Sequence, residues 1–328
     1  MIRIVFHGEN AASFSDGFAD LLDMPSEIAV LPDALDSPAD RAAYAGAEAV
    51  VGTRYHAALP RPDALRLFQV PGAGYDAVDL AALPGTAVAC NCFGHEQAIA
   101  EYVMAALLAR TVPLADADAR LRRGDWAYWA GAAHRAHGEL AGSTIGLLGF
   151  GHIGRAVARR AKAFEMQVVV ANRGAVPPSP LVDRTFSLGE LPAFWASADS
   201  FVVSVPLAEE TRGIVGAAAF AAMQPHAVLL NVGRGATVDE YALFQALQGG
   251  AIAGAVIDTW YRYPSPGQPG PPPSALPFET LPNLVMTPHM SGWTAGTISR
   301  RQAAIASNIR RRHAGEPCAN VIRPALVR

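Results

Sequence analysis

Two polar residues that follow predicted strands have side chains suited to chemistry on a small anion. Arg234 lies in NVGRGATVDE, residues 231–240, and His289 lies in MTPHMSGWT, residues 286–294. A guanidinium forks onto a carboxylate and polarises a neighbouring carbonyl, and histidine exchanges a proton near neutral pH. A third strand ends in AVIDTWYRYP, residues 255–264, which carries an acid and several aromatic residues. Together these segments predict acid–base chemistry on a carboxylate.

A glycine-rich turn predicts a dinucleotide site earlier in the chain. The segment TIGLLGFGHIG, residues 144–154, places G-x-G-x-x-G on Gly149, Gly151 and Gly154. An apolar strand precedes it and a helical pattern at 155–164 follows, which is the context that the dinucleotide fingerprint requires. The glycines allow a tight turn, close approach of the backbone to a pyrophosphate, and helix–strand packing. The helix N-terminus favours the phosphates.

The residues after the next predicted strand bear on which cofactor is bound. An acid about twenty residues beyond the glycines would accept hydrogen bonds from the adenosine ribose. Asn172 stands at this position, and the next residue is Arg173. Because an arginine can pair with a 2′-phosphate, the sequence favours NADP, and NAD stays open as the alternative.

Short apolar runs alternate with alanine-rich helical segments along the chain. Continuous apolar runs are typical of parallel strands buried on both faces. They occupy residues 2–6, 49–52, 67–70, 87–90, 144–149, 167–171, 200–204, 227–231, 253–257 and 284–287. The alternation predicts an α/β fold with two doubly wound parallel-sheet domains. We expect one domain from 1–98 plus 293–328, the dinucleotide-binding domain from 99–292, and a proline-rich surface loop at 264–282.

Composition and charge exclude several classes of protein. The 328 residues are 51% hydrophobic and carry a net charge of −3 without a basic run, so a nucleic-acid partner has no electrostatic support. No apolar stretch approaches the roughly 18 residues of a membrane span, and a signal-peptide pattern is missing. We therefore expect a cytoplasmic protein. Cys90, Cys92 and Cys318 form neither a zinc pattern nor a disulfide framework, and no metal site is predicted.

The chain resembles the D-isomer-specific 2-hydroxyacid dehydrogenases in segments spread over essentially its whole length. They are PGAGYDAVDL at 71–80, HGELAGSTIGLLGFGHIGR at 137–155, SVPLAEETRGIV at 204–215, NVGRGATVDE at 231–240 and TPH at 287–289. This family includes phosphoglycerate, formate and phosphite dehydrogenases and glyoxylate/hydroxypyruvate reductases. The resemblance implies a Rossmann coenzyme domain, a flavodoxin-like substrate domain, an interdomain cleft, a small carboxylate substrate and a homodimer.

The resemblance also implies roles for individual residues. Arg234 matches the substrate-binding arginine, and His289 matches the acid/base histidine. His95 stands where formate dehydrogenases place a substrate-binding asparagine, so it either faces the cleft or is an interdomain histidine. The other matches are Gly149, Gly151, His152 and Ile153 at the pyrophosphate, Pro206 beside the adenine, Asp258 at the nicotinamide carboxamide, and the backbone of Ala73 and Gly74 at the substrate carboxylate.

One position departs from the family pattern. The family normally has a glutamate directly before a proline, 29 residues after the arginine, and this chain has Tyr263 before Pro264. The glutamate favours the charged imidazolium, whereas a tyrosine hydroxyl supplies a hydrogen bond without the charge. We predict that Tyr263 orients His289 as the third catalytic partner. A tyrosine that only lines the pocket wall is the alternative.

The predicted activity is hydride transfer between a nicotinamide cofactor and a small 2-hydroxy or 2-keto acid, as in glyoxylate/hydroxypyruvate reductases. A formate-type dehydrogenase is the second hypothesis, because formate dehydrogenases also lack the glutamate and formate oxidation removes no hydroxyl proton. A dinucleotide-sensing protein that has lost catalysis is the third. The presence of Arg234 and His289 argues against this third hypothesis, since a sensor has little need of them.

Overall fold

Parallel strands with both faces covered dominate the structure, which is a computed structural model. It describes residues 1–131, 134, 136–264 and 270–326, so residues 265–269 of the predicted proline-rich loop lie outside the described residues. The chain divides into two compact units, Met1–Gly94 with Trp293–Arg328, and His95–Gly292. The first segment of the first unit ends at Gly94, and the helix Glu96–Thr111 belongs whole to the second unit.

The described residues contain thirteen strands. They are β1 (Ile2–His7), β2 (Ser26–Leu31), β3 (Ala49–Gly52), β4 (Leu67–Gln69), β5 (Val88–Cys90), β6 (Thr144–Leu148), β7 (Gln167–Ala171), β8 (Arg184–Phe186), β9 (Ser200–Val203), β10 (Val228–Asn231), β11 (Gly254–Ile257), β12 (Leu284–Met286) and β13 (Val321–Arg323).

The same part of the chain contains nine α-helices. They are α1 (Glu9–Ala12), α2 (Pro38–Ala45), α3 (Glu96–Thr111), α4 (Leu114–Leu121), α5 (His152–Ala163), α6 (Leu191–Trp195), α7 (Ala217–Ala222), α8 (Glu240–Gln248) and α9 (Ala295–Ala314). None of them alone has the length and hydropathy of a membrane span. Only α3 and α4 taken together, with a bend of 46° between them, meet that test.

The first unit is built on a sheet in the order β13-β5-β4-β3-β1-β2. The pairs from β1 to β5 are parallel, and β13 runs antiparallel to β5. Ile305 and Ile309 of α9 belong to one of the unit's hydrophobic clusters, and Tyr44 of α2 belongs to the other. The last helix of the chain therefore completes the core of the domain in which the chain begins.

The second unit is built on an all-parallel sheet in the order β12-β11-β10-β9-β6-β7-β8. One hydrophobic cluster contains side chains of α3 and α5, including Val103 and Val157, and the other contains side chains of α6, α7 and α8, including Phe194 and Leu243. The order reverses between β6 and β9. In such sheets, ligands bind outside the carboxyl ends of the strands at this reversal.

The predicted fold class is confirmed, and each predicted strand overlaps a strand of the structure. Sequence reasoning missed β2 and β8. Both lie at the edge of their sheet and keep residues that are half-buried or exposed. Because one side of an edge strand meets solvent, β8 lacks the continuous apolar run that marks a central parallel strand. β2 contains such a run at 28–31, which sequence reasoning did not assign to a strand.

Candidate active site

The carboxyl ends of three neighbouring parallel strands, β10, β11 and β12, carry polar and aromatic residues. We call the set Arg234, Asp258, Trp260, Tyr263 and His289 the acid–base corner. Parallel neighbours end at the same edge of a sheet, which explains how residues far apart in the sequence meet here.

Arg234 lies on a turn whose backbone is held from both sides. The Asn231 side-chain amide donates to the Arg234 carbonyl at 3.0 Å, and the Thr237 hydroxyl donates to the same oxygen at 2.6 Å. Gly235 follows, and a Cβ at this position would lie only 2.2 Å from the carbonyl oxygen of Trp260. Glycine therefore allows the arginine turn to pack directly against the chain that leaves β11.

Tyr263 and His289 are in contact. The Tyr263 hydroxyl lies 3.0 Å from His289 Nδ1 and also accepts a hydrogen bond of 3.0 Å from the backbone N–H of Trp260. Burial raises the pKa of Tyr263, while the Trp260 N–H and the charge of Arg234 act in the opposite direction. The hydroxyl is therefore protonated at neutral pH, and it offers His289 a hydrogen bond without a negative charge.

His289 lies on a loop that a buried carboxylate holds. Its φ of +59° is in the left-handed region, which is uncommon for a residue other than glycine. The fully buried Asp258 carboxylate accepts from the Thr287 hydroxyl at 2.6 Å and from the N–H groups of Met290 and Ser291, both at 2.9 Å. These residues flank His289 on both sides. The contact predicted between Asp258 and the nicotinamide carboxamide stays a prediction.

Two residues support this loop in a way that the sequence motifs did not reveal. The Trp260 indole N–H donates to the Thr287 carbonyl at 2.8 Å, and the Tyr102 hydroxyl lies 2.7 Å from the Thr287 hydroxyl. Since the Thr287 proton goes to Asp258, Tyr102 is the donor in the latter contact. Tyr102 is on α3, far from Thr287 in the sequence, and no spacing rule connects the two.

The glycine turn, residues 149–154, has the three properties that its motif predicts. Gly149 has φ +98°, which favours glycine. A Cβ at Gly154 would lie 2.3 Å from the Gly149 carbonyl oxygen, so only glycine lets α5 start this close to β6. A Cβ at Gly151 would meet no described atom within 4 Å, and this backbone is open to a ligand. The turn therefore fits a dinucleotide pyrophosphate.

His152 and Ile153 form the first turn of α5, and no described side chain caps this helix at its start. Pro206 follows β9, the neighbour of β6 in the sheet, and its carbonyl accepts from the Thr211 hydroxyl at 2.7 Å. Both positions are at the carboxyl ends of the two strands where the sheet order reverses. Their predicted roles at the pyrophosphate and the adenine stay predictions.

Asn172 and Arg173 have different environments. The Asn172 side chain is bonded to the backbone: it accepts from the Phe150 N–H at 3.2 Å and donates to the Gly174 carbonyl at 2.9 Å. The side chain of Arg173 is 82% exposed and forms an ion pair with Glu210 at 3.2 Å. An exposed pair of this kind contributes little to stability. Arg173 can therefore exchange Glu210 for another anion at little cost in free energy.

The residues predicted to bind the substrate carboxylate are in both units. Ala73 and Gly74 belong to the first unit, where the Asn91 amide donates to the Ala73 carbonyl at 2.8 Å. His95 belongs to the second unit, where it is buried and directly precedes α3. Contact of these residues with a substrate stays a prediction.

A protein-family model matches residues 104–291, more than half of the chain, and therefore the glycine turn and the acid–base corner. Its description is the NAD-binding domain of D-isomer-specific 2-hydroxyacid dehydrogenases. The chain belongs to this family. It is thus an oxidoreductase of the nicotinamide-dependent 2-hydroxyacid dehydrogenase class, and the predicted family is confirmed.

Known proteins are similar over most of the chain. A glyoxylate/hydroxypyruvate reductase B of Pectobacterium carotovorum is 30% identical over 302 residues, which cover 88% of this chain and 89% of the relative. A D-3-phosphoglycerate dehydrogenase of Methanocaldococcus jannaschii is 31% identical over 80% of this chain, which spans only 48% of that longer protein. The solved 2-hydroxyacid dehydrogenase of Ketogulonicigenium vulgare Y25 has a TM-score of 0.80 and 25% identity, covering 99% of this chain and 100% of its own.

Proposed function

We propose that the chain reduces small 2-keto acids of the glyoxylate and hydroxypyruvate type, and oxidises the corresponding 2-hydroxy acids. The observation that carries the proposal is the contact of 3.0 Å between Tyr263 and His289 Nδ1, close enough to Arg234 for its charge to act on Tyr263. Reduction of a keto acid needs a proton donor and a cation that binds the carboxylate. His289 and Arg234 can supply them. The relative similar over 88% of this chain is a glyoxylate/hydroxypyruvate reductase.

Arg234 binds the substrate in this proposal. Its guanidinium forks onto the substrate carboxylate and polarises the keto oxygen. The Asn231 and Thr237 side chains fix the backbone of this turn by donating to the Arg234 carbonyl, and the guanidinium itself donates to the Gly233 carbonyl at 2.9 Å. Preorganised charge of this kind stabilises the oxyanion that develops during reduction.

His289 supplies the proton. A nicotinamide cofactor, when bound, supplies the hydride for reduction or accepts it in the reverse direction. His289 then gives a proton to the keto oxygen through the nitrogen that Tyr263 does not contact, Nε2. Asp258 keeps the loop of His289 in its strained conformation, and Tyr263 fixes the angle of the ring. Tyr263 is thus a positioning residue, and His289 is the catalytic acid and base.

NADP is our proposed cofactor. Arg173 is exposed, and its partner Glu210 is also more than half exposed, so a 2′-phosphate can replace this carboxylate at little cost. Asn172 leaves the position of the ribose-binding acid uncharged, and its amide is bonded to the glycine turn through the Phe150 N–H. A 2′-phosphate therefore meets the positive charge of Arg173 and displaces Glu210 from it, and no carboxylate stands at position 172.

We also propose a homodimer that forms through the region of α4 and the connector that follows it. This region exposes four large apolar side chains, by 50 to 74% of their surface: Leu114, Leu121, Trp126 and Trp129. Apolar patches of this kind usually mark interfaces. Light scattering on the purified chain should give the mass of a dimer, and Trp126→Ser with Trp129→Ser should lower it. A monomer at high micromolar concentration would contradict the proposal.

A panel of substrates tests the proposed activity. Glyoxylate, hydroxypyruvate, pyruvate and formate are assayed with the phosphorylated and the unphosphorylated cofactor side by side. We expect NADPH-dependent reduction of glyoxylate or hydroxypyruvate, and a large rise of KM in Arg234→Gln. Turnover of formate alone would support the formate-type hypothesis in its place. Tight NADPH binding without any turnover would support the sensor.

A further inference from the structure

We infer that Tyr263 donates its hydroxyl proton to His289 Nδ1, so that neutral His289 carries its own proton on Nε2, the nitrogen that faces the substrate in the proposed function. Its consequence for the reaction rests on the proposed function. The direction of the hydrogen bond is a property of the free protein and does not depend on that function. It reverses the arrangement expected for the family's glutamate, which as a carboxylate can only accept from Nδ1–H.

The backbone of Trp260 favours one direction of this hydrogen bond. An amide N–H can only donate, so the Trp260 N–H, 3.0 Å from the Tyr263 hydroxyl, uses an acceptor site of that oxygen. The hydroxyl has a single proton, and His289 Nδ1 is at 3.0 Å. A proton directed at Nδ1 uses the donor of the hydroxyl and the lone pair of the ring nitrogen, and it leaves the oxygen to accept from Trp260. An Nδ1–H would be a second donor to the same oxygen, and the hydroxyl proton would then lose Nδ1 as its acceptor.

The position of Tyr263 is itself well defined. Trp260 is 6% exposed, its indole N–H is bonded to the Thr287 carbonyl, and its backbone carbonyl lies against Gly235. The amide that directs Tyr263 is therefore part of the buried core of the second unit. The phenol cannot turn to a different partner without losing the bond to Trp260.

The hydrogen bond has a consequence for the pH range of the reaction. A donor at Nδ1 stabilises neutral imidazole and disfavours imidazolium. Two charged groups act on Tyr263 in opposite directions. The positive charge of Arg234 also disfavours imidazolium, whereas the Asp258 carboxylate, which is bonded within the loop, favours it. Reduction starts from the imidazolium, so its rate should fall at a lower pH than in an enzyme with a glutamate at 263. In the oxidation direction His289 takes up the hydroxyl proton at Nε2, so that direction requires the other neutral tautomer, with the proton on Nδ1.

Nitrogen-15 NMR of histidine-labelled protein tests the hydrogen-bond direction without substrate or cofactor. The His289 signals are assigned by their loss in His289→Gln. At a pH where the ring is neutral, we expect Nε2 in the protonated, pyrrole-like range and Nδ1 in the unprotonated, pyridine-like range. In Tyr263→Phe the two tautomers should become mixed. A wild-type signal with the proton on Nδ1 would overturn the inference, even if the enzyme reduces keto acids.

The pH dependence of kcat/KM for reduction provides a second test, through the sign of a shift. Removing a donor from neutral imidazole, by Tyr263→Phe, should move the alkaline limb to higher pH by about half a unit or more. Tyr263→Glu should move it further in the same direction. Tyr261→Phe is the matched control, because its ring stacks on Phe278, and it should leave the limb in place. A shift of Tyr263→Phe to lower pH, or no shift, would overturn the inference.

Discussion

The glycine turn and the acid–base corner lie in the same unit and at the carboxyl ends of the same sheet, but they are built in different ways. The turn depends on the backbone of six consecutive residues, in which Gly149 has a positive φ, Gly154 packs against the Gly149 carbonyl, and Gly151 leaves the backbone open. The corner depends on side chains from three strand ends, and its central contact joins residues 26 positions apart.

This difference determines what evolution and mutation can change in each region. In the glycine turn, a single Cβ at Gly154 collides with backbone, so the motif tolerates little variation. In the acid–base corner, a partner of different chemistry can occupy a position, provided that the geometry survives. Tyr263 illustrates the second case: it retains the hydrogen bond to His289 and omits the negative charge.

Loss of the proton donor should have the largest effect. His289→Asn removes general acid catalysis, which contributes about 10²- to 10⁴-fold, so kcat for keto-acid reduction should fall by about 10³-fold. The free energy of unfolding should change little, because His289 is exposed. His313→Asn, at an exposed position of α9, is the control. Steady-state kinetics that show less than a tenfold loss would remove His289 from the mechanism.

The glycine turn should respond to one methyl group. In Gly154→Ala the new Cβ would be 2.3 Å from the Gly149 carbonyl oxygen, so α5 must move away from β6. We expect the dissociation constant of the cofactor to rise by about tenfold or more, with a loss of stability of about 1 to 3 kcal/mol. In the control Gly189→Ala the nearest atom is at 3.7 Å. Equal binding of NADPH by both variants, measured by calorimetry, would contradict the account of this turn.

Substitution of Asp258 should lower both the stability of the protein and its activity. In Asp258→Asn an amide NH₂ group replaces one of the two carboxylate oxygens that face backbone N–H groups of Met290 and Ser291. The free energy of unfolding, from urea titration, should fall by about 2 kcal/mol or more, and kcat should fall with it. Asp125→Asn, which removes an exposed ion pair with Arg120, should cost less than about 1 kcal/mol. Similar costs at both sites would refute the anchoring role of Asp258.

Cofactor selectivity should show the smallest effect. Arg173→Ala should lower kcat/KM for NADPH by about tenfold relative to NADH, because one charge-assisted contact is lost. Glu210→Gln is the matched control at the other end of the ion pair, and it should keep or increase the preference for NADPH. An unchanged ratio of the two cofactors in Arg173→Ala would show that the end of β7 does not read the 2′-phosphate.

The sequence predicts what is local, and the glycine turn shows this most clearly. The spacing of Gly149, Gly151 and Gly154, a strand before it and a helix after it predicted both the turn and its steric logic. The central strands were also predictable, since burial on both faces leaves a continuous apolar run. The edge strand β8 has no such run, because solvent covers part of its surface. β2 has an apolar run at 28–31 that sequence reasoning did not assign to a strand.

The acid–base corner could be predicted only in part. Arg234, His289 and Tyr263 follow from strand ends and from resemblance to a family. The hydrogen bonds that hold them do not, because they depend on side chains that approach one another only in the folded sheet. Tyr102 and Thr287 are an example, since they lie 185 residues apart and meet at 2.7 Å. The same holds for Asp258, whose carboxylate serves the loop of His289.

The central claim is that Tyr263 acts through His289, and a double-mutant cycle tests it most directly. The values of kcat/KM for keto-acid reduction are measured for the wild type, Tyr263→Phe, His289→Asn and the double variant. We predict that Tyr263→Phe lowers kcat/KM by about tenfold in the wild type at a pH near its optimum, the effect expected for one lost hydrogen bond. In the His289→Asn background it should have no effect. An equal loss in both backgrounds would contradict the account.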